Sequence, residues 1–353
     1  MNASLDERPG ARPSLKAVAK LAGVSVATAS YSLQNHPKIP EVTRQRVRDV
    51  ARSLGYRTNA TVSRLMAELR SDRADGSTLA WINCSPAKDT YTAVPWMRGW
   101  LHGARTRAEG LGYWLEEFWL GEHGAKRLQQ IVAARGTAGL LIAPTRATKG
   151  IVPMDLRTFS AVSMAGAFST PVIHQASTDN FANVILALDE MSRLGYGKIG
   201  FFSHNLPREW AIRQFAGAFL EWQGELPERW RSTPLLHDED APDAEATFRK
   251  WVKKHRFEAI LTTSSRSARW LDKIGLRIPE DIGLAHLNLA EDVSGWAGID
   301  PLIEEVAAAA VDLLVGLIHR HETGAPPVQK ITTIRGVWVP GRTLLRTLQR
   351  SGG

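Results

Sequence analysis

Three groups of residues in this 353-residue chain are of a type that could do chemistry. The first is a concentration of cations. Residues 1–75 hold thirteen Lys/Arg against seven Asp/Glu, whereas the rest of the chain, with 31 against 29, is nearly balanced. A small basic segment on a neutral body is the footprint of a phosphate-contacting module. The second is Gly195-Tyr196-Gly197-Lys198-Ile199-Gly200, which spells G-x-G-x-x-G. A dinucleotide site needs that sequence to follow a strand and open a helix. Here a helical stretch, 181–194, precedes it and the strand-like KIGFF follows, so Gly195 reads as a helix C-cap and no cofactor is expected. The third is the histidines (His102, His174, His204, His237, His255, His286) with one cysteine, Cys84. They show no metal-ligand spacing, and the chain has no HExxH, paired CxxC or nucleophile elbow. Neither a metal nor an enzymatic activity is expected.

The elements that must position the basic segment begin at Ser14. Leu15, Val18, Ala19, Leu21 and Ala22 recur at helical spacing, with Ser14 as N-cap. Ala22-Gly23-Val24-Ser25 is a turn in which Gly23 supplies a positive φ and Ser25 caps the next helix. In that helix Ala29 and Leu33 face inward, while Val26, Ala27, Ser30 and Tyr31 point away. Small inward residues allow two helices to cross closely and steeply, as a helix-turn-helix requires. A third helix starts at Pro40-Glu41-Val42-Thr43, carries Arg44, Arg46, Arg48 and Arg52, is striped by Val47, Val50, Ala51 and Leu54, and stops at Gly55.

From Ser14 to about Leu65 the chain resembles the LacI family of bacterial transcription regulators, through LxxVAxxAGVSxxTxS, TRxxVxxxAxxLGYxxN and a short following helix that contains a leucine. The resemblance implies that Val26, Ala27 and Tyr31 select bases, and that Ser14, Ser25, Thr28, Ser30, Lys38 and Thr43 hold the phosphate backbone. Leu15, Tyr56 and Asn59 complete the implied DNA-contacting set. Val26 and Ala27 can pack on thymine methyls, and Tyr31 can make one hydrogen bond or stack. Residues 59–69 would form a hinge helix that orders on DNA and drives Leu65 into the minor groove as a wedge. The polar tether 70–76 follows it.

Beyond Thr78, helices alternate with short buried strands, which predicts an α/β body with parallel sheets and a ligand crevice at the strand ends. The same resemblance extends here, through Asp179-Asn180, Leu194-Gly195-Tyr196, Arg277–Gly283 and Val311–Leu314. It implies a two-lobed periplasmic-binding-protein-like domain with a small-molecule effector between the lobes. The expected organisation is an N-terminus 1–13 without fixed structure, a helix-turn-helix domain 14–58, hinge and linker 59–76, and an effector-binding and dimerisation domain 77–353. The chain would pass between lobes near 176, 301 and 323. A helix at 303–319, close-packed through Ala307–Ala310, would contribute to a dimer interface.

Effector candidates are Asp179, Arg213, Gln214, Ser264 and Asn288. Asp179 aligns with an aspartate that supports the second lobe. Asn288 stands where many members have an effector-binding aspartate, Ser264-Ser265 where many have Asn-Asp, and Gln214 where an arginine is usual, with Arg213 beside it. These departures remove charged groups that grip sugar hydroxyls, which counts against a simple sugar. Trp96, Trp100, Trp210, Trp270 and Trp296 could offer stacking faces.

The N-terminus has no apolar h-region, no run approaches a membrane span, and a single cysteine excludes an internal disulfide framework. A cytoplasmic protein is expected. The reading is a homodimeric repressor on a pseudopalindromic duplex, with no membrane partner. A solute-binding protein of periplasmic-binding type is the alternative, and an α/β enzyme carrying a regulatory head is a third.

Overall fold

The computed structural model describes residues 14–33, 39–56, 78–145, 151–152, 154–165, 170–204, 210–291 and 293–345. Lys38, Asn59 and Leu65 lie outside the described residues.

The head is built from α1 (Leu15–Leu21), α2 (Val26–Leu33) and α3 (Glu41–Ser53). Ser14 caps α1, its hydroxyl accepting from the Ala17 N–H at 3.2 Å, and Gly23 turns the chain at φ +65°. Val18, Ala19, Ala22, Ala29, Val47 and Ala51 form the head's core, with Leu15, Val24, Leu33, Val50, Leu54 and Tyr56 packed around it. Leu21 departs from the expected inward set: it is 64% exposed, because at about 100° per residue it lies off the stripe formed by Leu15, Val18, Ala19 and Ala22. Ser32, not Leu33, is the fully buried residue beside Ala29.

The body holds two six-stranded sheets. The first contains β1 (Thr78–Asn83), β2 (Trp114–Trp119), β3 (Gly139–Ile142), β4 (Ser160–Met164), β5 (His174–Thr178) and β11 (Ile331–Ile334). Its order is β11-β5-β4-β3-β1-β2, parallel throughout. The second contains β6 (Ile199–Ser203), β7 (Leu235–Leu236), β8 (Ala259–Thr262), β9 (Gly283–His286), β10 (Ala297–Asp300) and β12 (Val337–Val339). Its order is β12-β10-β9-β8-β6-β7, with only the β10–β12 pair antiparallel. The connecting helices are α4 (Thr90–Ala93), α5 (Pro95–Gly110), α6 (Leu120–His123), α7 (Ala125–Ala134), α8 (Asn180–Arg193), α9 (Trp210–Trp222), α10 (Ala244–His255), α11 (Arg266–Asp272) and α12 (Ile303–Arg320). Apolar side chains on both faces of the central strands bury against these helices, as a parallel sheet demands.

The chain passes between the sheets three times: after β5 at Asp179, after β10 at 301–302, and between β11 and β12 at 335–336. The third passage falls well beyond 323. After α12 the chain first adds β11 as an edge strand beside β5, Ile331 against Gln175, before it leaves the first sheet. The three passages abut. The Asp179 N–H donates to the Ile334 carbonyl at 2.8 Å, and the Gly336 N–H donates to Asn183 Oδ1 at 2.8 Å. A Cβ on Gly336 would stand 2.5 Å from the Asp300 carbonyl oxygen, so the site requires glycine.

Helix α12 crosses α5 at very short range. A Cβ on Gly103 would meet the Glu304 carbonyl oxygen at 2.3 Å, and one on Gly99 would meet the Ile303 side chain at 2.6 Å. Ala307 and Ala310 are fully buried in the same first-lobe core, and Arg107 of α5 is joined to Asp312 of α12 at 2.7 Å.

Candidate functional site: the head surface and the interlobe crevice

On the head, helix α2 carries no charged residue. Its register is set by Ala29, which is fully buried, and this turns Val26, Ala27 and Tyr31 outward; Val26 is 46% and Tyr31 41% exposed. The start of α2 is fixed by Ser25, whose hydroxyl accepts from the Thr28 N–H at 3.0 Å and lies 2.8 Å from the Thr28 hydroxyl. The Ser25 and Thr28 side chains are thus tied to each other, while Val26 and Ala27 between them present only methyl groups. Ser14 and Ser25 are exposed, and Thr28, Ser30 and Thr43 half-buried. Leu15 and Tyr56 are partly buried against the head's core.

The cations divide into two sets. Arg44 (2.5 Å) and Arg48 both pair with Glu41, and Arg52 lies 3.3 Å from Asp49. Lys16, Lys20 and Arg46 are exposed and make no ion pair with a described residue. Motif reading missed Lys16 and Lys20. The signal that finds them is their place on the solvent face of a helix whose other side is Val18, Ala19 and Ala22.

In the body, the carboxyl ends of the parallel strands carry the polar residues. In the second lobe Ser203 lies 2.9 Å from the Thr263 hydroxyl, which lies 3.4 Å from His204 Nδ1. His286, at the end of β9, is fully buried; its Nδ1 lies 2.9 Å from the Asn288 carbonyl, and its Nε2 points toward the Glu291 carboxylate at 3.7 Å. Burial holds this imidazole down at a pKa of about 4, so it is neutral at physiological pH. Trp296 packs edge-on against it, ring centroids 5.8 Å apart. In the first lobe Tyr91 of α4 is buried against Trp81 of β1, its hydroxyl donating to the Pro144 carbonyl, and burial pushes its pKa far up. Burial also pushes the Cys84 thiol up to about 12, which makes it a packing group and not a nucleophile.

The five effector candidates occupy different surroundings. Asp179 caps α8, accepting from the Ala182 N–H at 3.0 Å, so its carboxylate belongs to the first interlobe passage. Gln214 accepts from Asn180 Nδ2 at 3.1 Å, and Asn180 Oδ1 accepts from the Thr178 hydroxyl at 2.6 Å. This chain of three side chains runs from the end of β5 to α9. Ser264 is 1% exposed and donates to the Glu239 carboxylate; Arg266 clamps the same loop through the Glu239 carbonyl (2.6 Å) and Asp240 (2.6 Å). Asn288 accepts from the Ala290 N–H at 3.3 Å and reaches Glu291 at 3.4 Å. Arg213 alone of the five is exposed, and it makes no side-chain hydrogen bond or ion pair with a described residue. Sequence reasoning did not find Asn180, Glu239 or Glu291, whose importance rests on contacts between segments far apart in the chain. Of the tryptophans, Trp100 and Trp270 are core residues, 3% and 6% exposed, Trp270 packing on Phe202 and Phe248. Trp96 and Trp296 are partly buried.

The glycine-rich segment 195–200 follows α8 and opens β6. Gly195 sits at φ +99°, and the Tyr196 N–H returns to the Met191 carbonyl at 3.2 Å, closing the helix end. Among the described residues no group of three His, Cys, Asp or Glu is placed to hold a metal ion, and no helix is long and apolar enough to cross a membrane.

A three-helix head of this form followed by a two-lobed α/β body defines a DNA-binding transcription regulator with an effector domain. Residues 14–59 match the bacterial regulatory proteins of the lacI family, and residues 188–343 match the periplasmic binding protein-like domain. The chain thus carries a lacI-family DNA-binding domain followed by a periplasmic binding protein-like domain. Its fold is similar to that of the transcriptional regulator CelR in complex with cellobiose, at 19% identity over 94% of this chain and 100% of that one, TM-score 0.55. It is likewise similar to the lac repressor dimer bound to operator and the anti-inducer ONPF, at 17% identity over 95% and 100%, TM-score 0.55. A LacI-family regulator from Rhizobium etli aligns at 14% identity over 76% of this chain and 99% of that one, TM-score 0.56. A comparison with curated protein sequences gives no match.

Proposed function

We infer that the protein is an effector-controlled repressor that binds a pseudopalindromic operator as a homodimer. The observation that carries this reading is the presentation of α2. A buried Ala29 and a Ser25 cap fix the helix so that Val26, Ala27 and Tyr31 stand outward together on an uncharged face. Such a helix lies in the major groove with its N-terminal residues at base edges. The exposed Lys16, Lys20 and Arg46, with the hydroxyls of Ser14, Ser25, Thr28, Ser30 and Thr43, would engage phosphates on either side. The family resemblance adds Lys38, Tyr56, Asn59 and Leu15 to the DNA-contacting set, and Leu65 would be the minor-groove wedge.

A two-fold protein selects two-fold DNA. In the body, the three abutting passages provide a hinge, and a molecule bound among Arg213, Gln214, Ser264, Asn288 and the opposing strand ends would bias how far the lobes close. The similar folds solved with cellobiose and with ONPF support a small organic effector. In this chain Gln214, Ser264 and Asn288 put an amide, a hydroxyl and an amide at the crevice, beside the neutral imidazole of His286, which favours a ligand with little net charge. The protein acts in the compartment that holds the chromosome.

The test is sedimentation of the protein on an enriched duplex, with and without fractions of a metabolite extract. Two protomers per duplex, with affinity changed by one fraction, support the reading. One protomer per duplex, or indifference to every fraction, contradicts its dimer and effector parts respectively.

A further inference from the structure

The second lobe carries a cationic face that the head's function does not use. Residues 249–256 of α10 and its C-cap, RKWVKKHR, contain five Lys/Arg and no acid, in a body that is otherwise close to neutral. Phe248, Trp251 and Val252 turn inward to the core, which leaves Arg249, Lys250, Lys253, Lys254 and Arg256 exposed. None of the five makes an ion pair with a described residue. The neighbouring acids are engaged elsewhere: Glu245 by Lys273 at 2.6 Å, and Glu258 by the backbone N–H groups of Gly197 and Lys198 at 2.6 and 3.2 Å. His255 lies between Lys254 and Lys198, and partial burial followed by those two cations holds it below its ordinary pKa.

Cations in a helix's last turn complement its dipole, but that effect fades within one turn, and Arg249 and Lys250 lie outside it. Arg249 and Lys253, like Lys250 and Lys254, are i,i+4 pairs of like charge about 5–6 Å apart, an arrangement that destabilises an isolated helix. The surface also lacks the apolar centre of a protein–protein interface: no large apolar side chain between 244 and 258 is exposed. A closely spaced row of cations without apolar anchors matches a polyanion of regular charge, and duplex DNA carries one charge per roughly 1.7 Å of axis.

We propose that the α10 face of the second lobe, Arg249, Lys250, Lys253, Lys254 and Arg256, is a second, sequence-independent binding surface for duplex DNA. A protein seated on one duplex through its head would hold another segment against this face. The face reads phosphates only, with no base contact.

The experiment uses the full chain. Protein is loaded on an immobilised duplex enriched by its own selection. It is then offered a labelled random-sequence duplex of about 40 base pairs in about 50 to 200 mM KCl. Capture of the second duplex is expected, with a log–log salt slope of roughly −4 and a loss of about two orders of magnitude across that range. The variant Arg249→Gln/Lys250→Gln/Lys253→Gln/Lys254→Gln should load on the first duplex as the parent does and capture the second at least about tenfold less. The charge-preserving variant Arg249→Lys/Lys250→Arg/Lys253→Arg/Lys254→Arg should capture it fully. The proposal is overturned if the parent captures no second duplex, if the glutamine variant captures it equally, or if polyglutamate is retained where duplex is not. Loading of the glutamine variant on the first duplex reports the head alone, so failure there and failure of the α10 face are separate results.

Discussion

Val26 offers the most exacting prediction for base reading. It is 46% exposed at the start of α2, so roughly half of its side-chain surface remains to be buried against a partner. Full burial of a valine side chain contributes about 1.5–3 kcal/mol, so half contributes about 1 kcal/mol per protomer. That is about fivefold in affinity, and about thirtyfold for a two-fold complex in which both protomers lose it. Val26→Ala removes most of this surface without touching the head's core, and it slightly favours the helix. The matching change in DNA is thymine to uracil at the apposed step, which deletes one methyl, about 0.8 kcal/mol or fourfold per half-site. Fluorescence anisotropy on an enriched duplex at fixed salt, run as a double-mutant cycle, measures both. The predicted result is coupling: uracil costs little once Val26 is alanine. Strict additivity, or an equal loss on random duplex, would refute methyl reading by Val26.

Three further outcomes follow from the geometry. Gly103→Ala inserts a Cβ 2.3 Å from the Glu304 carbonyl oxygen where α5 crosses α12; overpacking of this kind should cost about 1–3 kcal/mol in urea denaturation, and a neutral result would mean that the crossing is looser than described. His286 titrates near 6.5 unfolded and about 4 folded, so the unfolded chain binds the extra proton between those values and stability falls as pH drops through that window. The loss is at most roughly 3 kcal/mol and should shrink in His286→Gln; an unchanged pH profile in that variant would remove His286 as its cause. Leu65→Ala should weaken binding to an enriched duplex far more than to random duplex, and equal losses would end the wedge proposal.

The head was legible because its determinants are local. Ser14, Gly23, Ser25 and Gly55 punctuate three short helices, and each does so through bonds within a few residues of itself. Leu21 was misjudged because it falls outside the stripe that Leu15, Val18, Ala19 and Ala22 bury, although it is apolar and stands next to Ala22. The alternation of strands and helices in the body was legible too, but some of its elements carry a weak pattern. The strands β11 and β12 are edge strands with mixed burial, Ile331 and Val337 both being largely exposed. Helix α10 is so rich in lysine and arginine that its apolar face, Phe248, Trp251 and Val252, is easily overlooked. The crevice was the least legible part. The bonds Gln214–Asn180 and Ser264–Glu239 join residues 34 and 25 positions apart, which no local pattern announces.

We propose that α2 reads one half of a two-fold duplex. Selection of binding sites from random duplex DNA by the purified full chain, at stated salt, tests it most directly, because salt sets the non-specific background. The account predicts an enriched palindrome, with thymines at matching positions in each half and a flexible step at its centre. Enrichment of no sequence, with and without added metabolite extract, would contradict it and favour a solute-binding role for the two-lobed body.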